Sequence, residues 1–186
     1  MRRLAALLLC VLPVANDVMA GDAAYARLPG GSFRSTLRYE DLPNVPLQLR
    51  PYELMRPPIT NAEFLAFVSA HPQWRRDRVA SVFADREYLA LWQAPQTLGA
   101  RALPQQPVVR VSWFAANAYC EAQGARLPTW SEWEYAAAAD ETRRDARADP
   151  TWRARILGWY ARPSSGPLPR AGLQAPNAYG VQDLHG

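Results

Sequence analysis

The spacing of apolar residues between positions 107 and 139 predicts a short strand followed by two helices. Valines at positions 109 and 111 flank an arginine, which is the period-two pattern of a strand with one buried face. Farther along, apolar residues recur three and four positions apart, the spacing of one helix face. We expect this unit to be the packed centre of the fold. The residues expected to be largely buried in it are Trp113, Tyr119, Cys120, Trp133 and Ala137.

The ends of both helices are marked by residues that satisfy unpaired backbone groups. Ser112 can accept a hydrogen bond from a first-turn N–H, and Gly124 can supply the positive φ that ends the first helix. Thr129 and Glu132 form a capping box, in which each side chain accepts from the other residue's backbone N–H. The helices are therefore predicted at 113–123 and from 130 onward.

The first half of the chain predicts strands and then one helix. Proline and glycines at 29–31 indicate a turn between two strands, and apolar residues at 47, 49 and 52 indicate a further strand. Thr60 and Glu63 form a second capping box, followed by apolar residues at helical spacing. This helix should stop before Pro72.

Residues 73–106 and 140–186 predict loops with two further short helices. Asp85 is expected to cap the first, which carries Tyr88, Leu89 and Trp92. Aromatic residues here could line a pocket or pack in the core, and core packing is the simpler interpretation. Asp149 and Pro150 start the second helix. The apolar residues on one face of that helix are Trp152, Ile156, Trp159 and Tyr160.

Composition and charge narrow the class of protein. The 186 residues, 49% of them hydrophobic and 11% aromatic, suit a single domain with a substantial core. The formal net charge is +4, and all 21 basic residues are arginine. Acidic residues are interspersed throughout, whereas a nucleic-acid-binding face needs a basic cluster with interleaved aromatic residues. We therefore exclude nucleic acid as a partner.

Residues 1–20 have the pattern of a signal peptide. Two arginines precede an apolar run from Leu4 to about Ala15, and Val-Met-Ala at 18–20 is a small-residue cleavage site. A second possible cut follows Ala26. The apolar run is too short to span a bilayer. We therefore expect a periplasmic or secreted protein with no membrane span after cleavage, and a mature domain at 21–186.

The cysteine count follows from that expectation. Cleavage after Ala20 would remove Cys10 and leave Cys120 alone, so no disulfide within the chain is expected. Cys120 lies on the apolar face of its predicted helix beside Tyr119. A buried structural thiol is the simpler interpretation, and a nucleophilic role is the alternative.

Several motifs in this order resemble the formylglycine-generating enzyme (sulfatase-modifying factor) family. They are Val-Ser-Trp at 111–113, Ala-Tyr-Cys at 118–120, Ala-Arg-Leu-Pro-Thr at 125–129 and Glu-Trp-Glu-Tyr-Ala-Ala at 132–137. Asn-Ala-Tyr-Gly at 177–180 and Asp-Leu-His-Gly at 183–186 continue the likeness, which covers about residues 27–186. Departures at Trp130, Ser131 and Ala138 indicate a divergent branch. A faint likeness at 159–163 points to periplasmic accessory proteins of denitrification and copper handling.

The resemblance implies an α+β fold of the C-type-lectin-like formylglycine-generating-enzyme type, with short strands and few helices. It also implies that the domain is incomplete at the C-terminus, because the family's copper-binding cysteine pair belongs to later strands. Family members often pair the cysteine at position 120 with one far downstream. On this basis copper is a cofactor of the full-length parent and not of this chain. Apolar faces within residues 107–160 should lack part of their cover, and the fragment should be marginally stable or prone to aggregate.

No catalytic, cofactor-binding or metal-binding residue is predicted in the chain itself. The two histidines, His71 and His185, cannot make a three-histidine iron site, and no Cys-x-x-Cys or phosphate-binding glycine loop occurs. Glu132 and Glu134 flank a tryptophan and point to different helix faces. We expect Arg126 to pair with one of them as a buried structural contact, and a role in substrate binding is the alternative.

Two functions are compatible with the sequence. The full-length parent is an O2-dependent oxidase or maturation factor acting on a protein cysteine or similar target, or it is a non-catalytic periplasmic binding or accessory module on the same fold. In either case a periplasmic protein or peptide is the expected partner. The chain alone should be inactive, because it lacks the catalytic cysteine pair.

Overall fold

The computed structural model describes residues 9–13, 24–37, 45–162 and 166–185. Most of the predicted signal peptide and its cleavage site at Ala20 therefore lie outside the described residues. No helix in the described part of the chain is long and apolar enough to cross a membrane. The α+β prediction is confirmed, because short strands lead into four helices within those ranges.

Within the described residues, five short strands form two antiparallel sheets. The strands are β1 (Val11–Pro13), β2 (Tyr25–Leu28), β3 (Gly31–Phe33), β4 (Leu47–Leu49) and β5 (Tyr52–Met55). One sheet has the order β1-β5-β2, and the other joins β3 to β4. The predicted turn at 29–31 separates β2 from β3, where Gly30 has φ +66° and a Cβ would lie 2.3 Å from the Leu49 carbonyl oxygen.

Strand β1 joins the sheet to the helical part of the chain. Val11 lies opposite Leu54 of β5, and both side chains are fully buried. The backbone of Val11 also exchanges two hydrogen bonds with Arg126, at 2.7 and 2.9 Å. β1 is the edge strand of its sheet, and on its outer side Val11 forms an isolated bridge to Arg126 that ties the sheet to the segment before α3.

The helices begin where the capping residues predict. They are α1 (Asn61–Ala70), α2 (Trp113–Ala122), α3 (Trp130–Ala137) and α4 (Pro150–Ala161). Both capping boxes are present, and Ser112 and Asp149 accept from first-turn N–H groups. His71 caps the C-terminus of α1, and Gly124 follows α2 with φ +69°. The predicted helix starts are therefore confirmed. They could be predicted because each cap depends on a few adjacent residues.

Helices α1 and α2 share an aromatic core. The Phe64 ring stacks on Tyr119 at 5.7 Å and meets the edge of Trp92 at 6.4 Å. The Trp92 indole N–H donates to the Asn61 amide oxygen at 2.9 Å, so the buried polar groups are paired. Tyr88, Leu89 and Trp92 belong to this core, as the simpler interpretation of that segment held. The prediction of a short helix capped by Asp85 is wrong, because the segment that follows Asp85 consists of turns.

A second core lies between the three-stranded sheet and α3. Tyr52 and Leu54 from β5 pack with Ala136 from α3 and Val181 from the C-terminal segment. The Tyr52 hydroxyl donates to the Glu132 carbonyl oxygen at 2.6 Å and ties the sheet to the first turn of α3. Buried position and a paired hydroxyl explain why a tyrosine fits this core.

The strand predicted at Pro107–Val111 is wrong. Val108 donates one backbone hydrogen bond to the Ile59 carbonyl oxygen. The extended conformation then ends at Arg110, where φ is +58°. A left-handed residue turns the chain out of the extended conformation. Val109 is nevertheless buried. The alternation of apolar and polar residues thus predicted burial correctly and the backbone conformation wrongly.

Burial in the central unit agrees with the prediction at three of five positions. Tyr119, Cys120 and Ala137 are buried, and Trp133 is half-buried. Trp113 is 65% exposed, so its predicted burial is wrong. It lies in the first turn of α2, ahead of the buried stripe, and its ring meets that of Phe114. Five large apolar residues in the described part of residues 107–160 are exposed. They are Trp113, Phe114, Trp130, Leu157 and Tyr160.

The expectation that Cys120 has no partner within the chain is also wrong. Cys120 is fully buried, as predicted, but it forms a disulfide with Cys10, 110 positions away. Neither cysteine is free. The prediction depended on loss of Cys10 by cleavage, whereas the fold places Leu9, Cys10 and Val11 in the core.

Candidate functional site

Arg126 pairs with Glu132, one of the two partners expected from the sequence, but only Glu132 is buried, because the Arg126 side chain is 46% exposed. The Arg126 guanidinium donates to both carboxylate oxygens of Glu132, at 2.6 and 2.8 Å. Glu132 also accepts from the backbone N–H and hydroxyl of Thr129. Burial acts to raise the pKa of Glu132, but the hydrogen bonds from Arg126 and Thr129 outweigh it, and the pKa is lowered. The Arg126–Glu132 pair stabilises the first turn of α3, and the charged groups of both residues are used in this contact.

Glu134 makes a second buried contact on the other side of α3. Its carboxylate accepts from the hydroxyls of Ser35 and Thr36, at 2.5 Å each, and from the Thr36 backbone N–H at 2.6 Å. Arg147 lies 4.0 Å away. Burial acts to raise the pKa of Glu134, but these hydrogen bonds and the Arg147 charge lower it below 4.5. The carboxylate fixes the segment after β3 against α3.

We expect Glu134 to make folding stability depend on pH in the acid range. Its folded-state pKa is lowered from 4.5, so its stabilising effect is full above that pH and is lost as the pH falls through the folded-state pKa. Chemical denaturation between pH 3 and 7 should show a shallower acid loss in Glu134→Gln than in the wild type. Glu121→Gln, at an exposed position, should keep the wild-type slope. Identical slopes for all three proteins would contradict this assignment.

His185 fastens α4 to the rest of the domain. Its Nε2 lies 2.8 Å from the Ala137 carbonyl oxygen, to which it donates. Four aromatic rings surround the imidazole at centroid distances of 5.8 to 6.3 Å. They belong to Trp133, Trp152, Trp159 and Tyr160. Burial lowers the pKa of His185, so the ring is neutral near pH 7. The cavity beside it is only about 40 Å³, enough for a water molecule and too small for a substrate.

His71 lies apart from this cluster. Its Nδ1 is 3.0 Å from the Phe67 carbonyl oxygen at the end of α1, and its ring packs on Phe67. The two histidines therefore belong to different packing clusters, and each has a structural contact.

A larger cleft opens between the β3–β4 hairpin, α3 and the segment that follows α3. Its volume is about 500 Å³. The floor consists of three rings in contact, with Tyr135 meeting Phe33 at 5.5 Å and Tyr179 at 5.2 Å. Two guanidinium groups lie over the outer rings, Arg147 over Phe33 at 4.6 Å and Arg144 over Tyr179 at 5.8 Å. This cleft is the best candidate binding site in the described residues.

No pattern in the sequence predicts this cleft. Its residues come from β3, α3, the segment at 144–147 and Tyr179, so no local motif unites them. The segment at 140–149 is dense in charged residues of both signs. In the structure Asp140 is buried and accepts from Arg143, which holds its pKa well below the usual range. The Asp140–Arg143 contact closes a turn, and the arginines that follow it, Arg144 and Arg147, lie over the rings of Tyr179 and Phe33.

The residues of this chain do not fit a copper site. Both cysteines are in the disulfide, so neither offers a thiolate, the soft ligand that Cu(I) prefers. Within the described ranges no three histidine, cysteine, aspartate or glutamate side chains lie together as a metal site would require. We therefore derive no chemical step through copper in this chain.

Comparison with known proteins identifies the family. A family profile described as the sulfatase-modifying factor enzyme 1-like domain matches residues 16–186. This chain belongs to that family. The match includes the disulfide-bonded helix α2, the capped helix α3 and the segment that carries His185. The suspected resemblance is confirmed.

Individual relatives of the family give the same result over different lengths. The formylglycine-generating enzyme of Streptomyces coelicolor is 34% identical over 145 residues, covering 60% of this chain and 46% of the relative. The inactive C-alpha-formylglycine-generating enzyme 2 of Mus musculus is 32% identical over 148 residues, covering 63% and 48%. The formylglycine-generating enzyme of Mycobacterium tuberculosis is 31% identical over 216 residues, covering 86% and 70%. The chain thus spans about half the length of the first two curated relatives.

Proposed function

We propose that this chain is the N-terminal part of a sulfatase-modifying-factor-like protein whose full-length form is an O2-dependent oxidase or maturation factor. Its target is a protein cysteine or a similar group. The observation that carries the proposal is the family match over residues 16–186, together with relatives named formylglycine-generating enzyme. The chain contributes the packed framework, and copper belongs to the remainder of the parent.

Export to the periplasm or the cell exterior is part of the proposal. The Cys10–Cys120 disulfide supports it, because such bonds persist in oxidising compartments and are rare in the cytosol. The same bond conflicts with cleavage after Ala20, which would separate Cys10 from the domain. Export and that cleavage site are therefore separate propositions.

A non-catalytic accessory module is the second candidate function. It is favoured by the absence of a free thiol in this chain, since both cysteines are in the disulfide. One relative that matches a similar length is named as inactive. The gene sequence downstream of position 186 distinguishes the two, because two closely spaced cysteines favour the oxidase and one or none favours the module.

The full chain, residues 1–186, should show no formylglycine-generating activity. The assay adds Cu(I) and a cysteine-containing peptide in air and follows the aldehyde product by mass spectrometry. The enzyme of Streptomyces coelicolor serves as the active control. Turnover by this chain that disappears in Cys120→Ser would contradict the proposal, because it would place a catalytic thiol where the structure has a disulfide.

A further inference from the structure

The cleft over Phe33, Tyr135 and Tyr179 has an excess of positive charge. Three arginines line it, Arg34, Arg144 and Arg147, against one carboxylate, that of Asp145. The Arg147 guanidinium is engaged with Asp145 at 2.7 Å and with the Arg34 carbonyl oxygen at 2.8 Å. Its charge is therefore largely compensated.

Arg144 is different from Arg147 in this respect. Its side chain is exposed, and its guanidinium stacks on Tyr179. Among the residues that the structure describes, none places a carboxylate within ion-pair distance of it. A planar guanidinium held on a ring keeps its N–H groups free for bidentate contact with a carboxylate. The geometry therefore presents one preorganised cationic group at the edge of an aromatic floor.

The shape of the cleft fits an extended peptide. Its volume of about 500 Å³ is within the range of binding pockets, roughly 300 to 1,000 Å³. Strand β3 contributes Ser32 and Phe33 to the lining and pairs with β4 alone among the described strands. No described strand pairs with the other edge of β3, which is where the main chain of an added strand would bond. The rings accept an apolar side chain, and Arg144 accepts an acidic one.

We propose that this cleft binds an acidic peptide segment, with an aspartate or glutamate carboxylate on Arg144 and an adjacent apolar side chain on the rings of Tyr135 and Tyr179. The assignment is independent of the oxidase proposal, because it concerns binding by this chain and requires no thiol. A failure of peptide binding and a failure of turnover are therefore separate results.

The test measures fluorescence anisotropy with two labelled probes, Gly-Glu-Phe-Glu-Gly and the matched neutral Gly-Gln-Phe-Gln-Gly. The full chain should bind the acidic probe more tightly, and its affinity should fall as salt rises. Arg144→Gln should weaken binding of the acidic probe about tenfold, the effect of losing one charge-assisted hydrogen-bonded contact. Arg153→Gln, which removes the same charge from an exposed position on α4, should leave the affinity within about twofold.

Four results would overturn the assignment. Equal affinity for the two probes, or no binding of either, removes the carboxylate requirement. Equal effects of Arg144→Gln and Arg153→Gln indicate binding to net charge alone. Displacement of the acidic probe by inorganic phosphate at equal concentration indicates a simple anion site. Thermal unfolding of Arg144→Gln should match the wild type, since its side chain is exposed, and this separates loss of binding from loss of fold.

Discussion

A chain that begins at Gly21 should fail to fold cooperatively, whereas a chain that begins at Leu9 should unfold like the full chain. Deletion of residues 1–20 removes β1 and with it the ladder to β5 and the two backbone hydrogen bonds to Arg126. It also removes the disulfide to Cys120. The remaining core would lose the edge strand that covers β5 and bonds to Arg126.

The expected loss is comparable to the whole stability of a domain. Leu9, Cys10 and Val11 are each at most 3% exposed, and full burial of a side chain of this kind contributes about 1.5–3 kcal/mol. A disulfide that closes a loop of this length contributes about 4 kcal/mol. Typical domains unfold with a free energy of about 5–15 kcal/mol. Little net stability would therefore remain.

Thermal unfolding followed by circular dichroism under non-reducing conditions measures this effect. The double variant Cys10→Ser/Cys120→Ser is the matched control, because it keeps β1 and loses only the disulfide. It should still unfold cooperatively, with a free energy of unfolding lower by about 4 kcal/mol. A chain from Gly21 that melts cooperatively at the wild-type temperature would show that β1 is dispensable.

The result also decides between two interpretations of the N-terminus. Cleavage after Ala20 stays a prediction from the sequence pattern, and it cannot coexist with the Cys10–Cys120 bond in one molecule. N-terminal sequencing of exported protein distinguishes them. A start at Gly21 means that the native molecule lacks β1, and a start at or before Leu9 means that the segment is structural.

Local features of the fold could be predicted from the sequence, because the groups that decide them are close in the chain. The capping boxes at Thr60 and Thr129 each depend on a side chain three residues away. The turn at Gly30 depends on the conformational freedom of glycine. Arg126 and Glu132 are only six positions apart. The sequence therefore predicts that Arg126 pairs with Glu132 or with Glu134, and the structure selects Glu132.

Features decided by long-range packing could not be predicted. The Cys10–Cys120 bond joins positions 110 apart, and a leader-like composition concealed the strand that carries Cys10. Burial of Trp113 depends on which segment packs over the first turn of α2. The apolar character of one residue does not predict that packing. The cleft residues Arg144 and Tyr179 meet only in the folded chain.

Glu132→Ala should lower the free energy of unfolding by about 3 kcal/mol. The substitution removes the acceptor of both Arg126 contacts and half of the α3 capping box. Breaking a buried ion pair costs about 3–5 kcal/mol, and the lower end applies because the Arg126 side chain is 46% exposed. Chemical denaturation at pH 7 measures the change.

Glu63→Ala is the matched control for that variant. Glu63 occupies the same position in the capping box of α1 and accepts from the Thr60 backbone N–H at 2.7 Å, but it is exposed and has no described arginine partner. Its loss should cost about 1 kcal/mol, as removal of a cap does. Thr129→Ala should cost a similar amount, since it removes the cap of α3 and leaves the Arg126 pair in place. If Glu132→Ala and Glu63→Ala destabilise the protein equally, the Arg126 pair contributes nothing to the fold, and its role must be sought in binding.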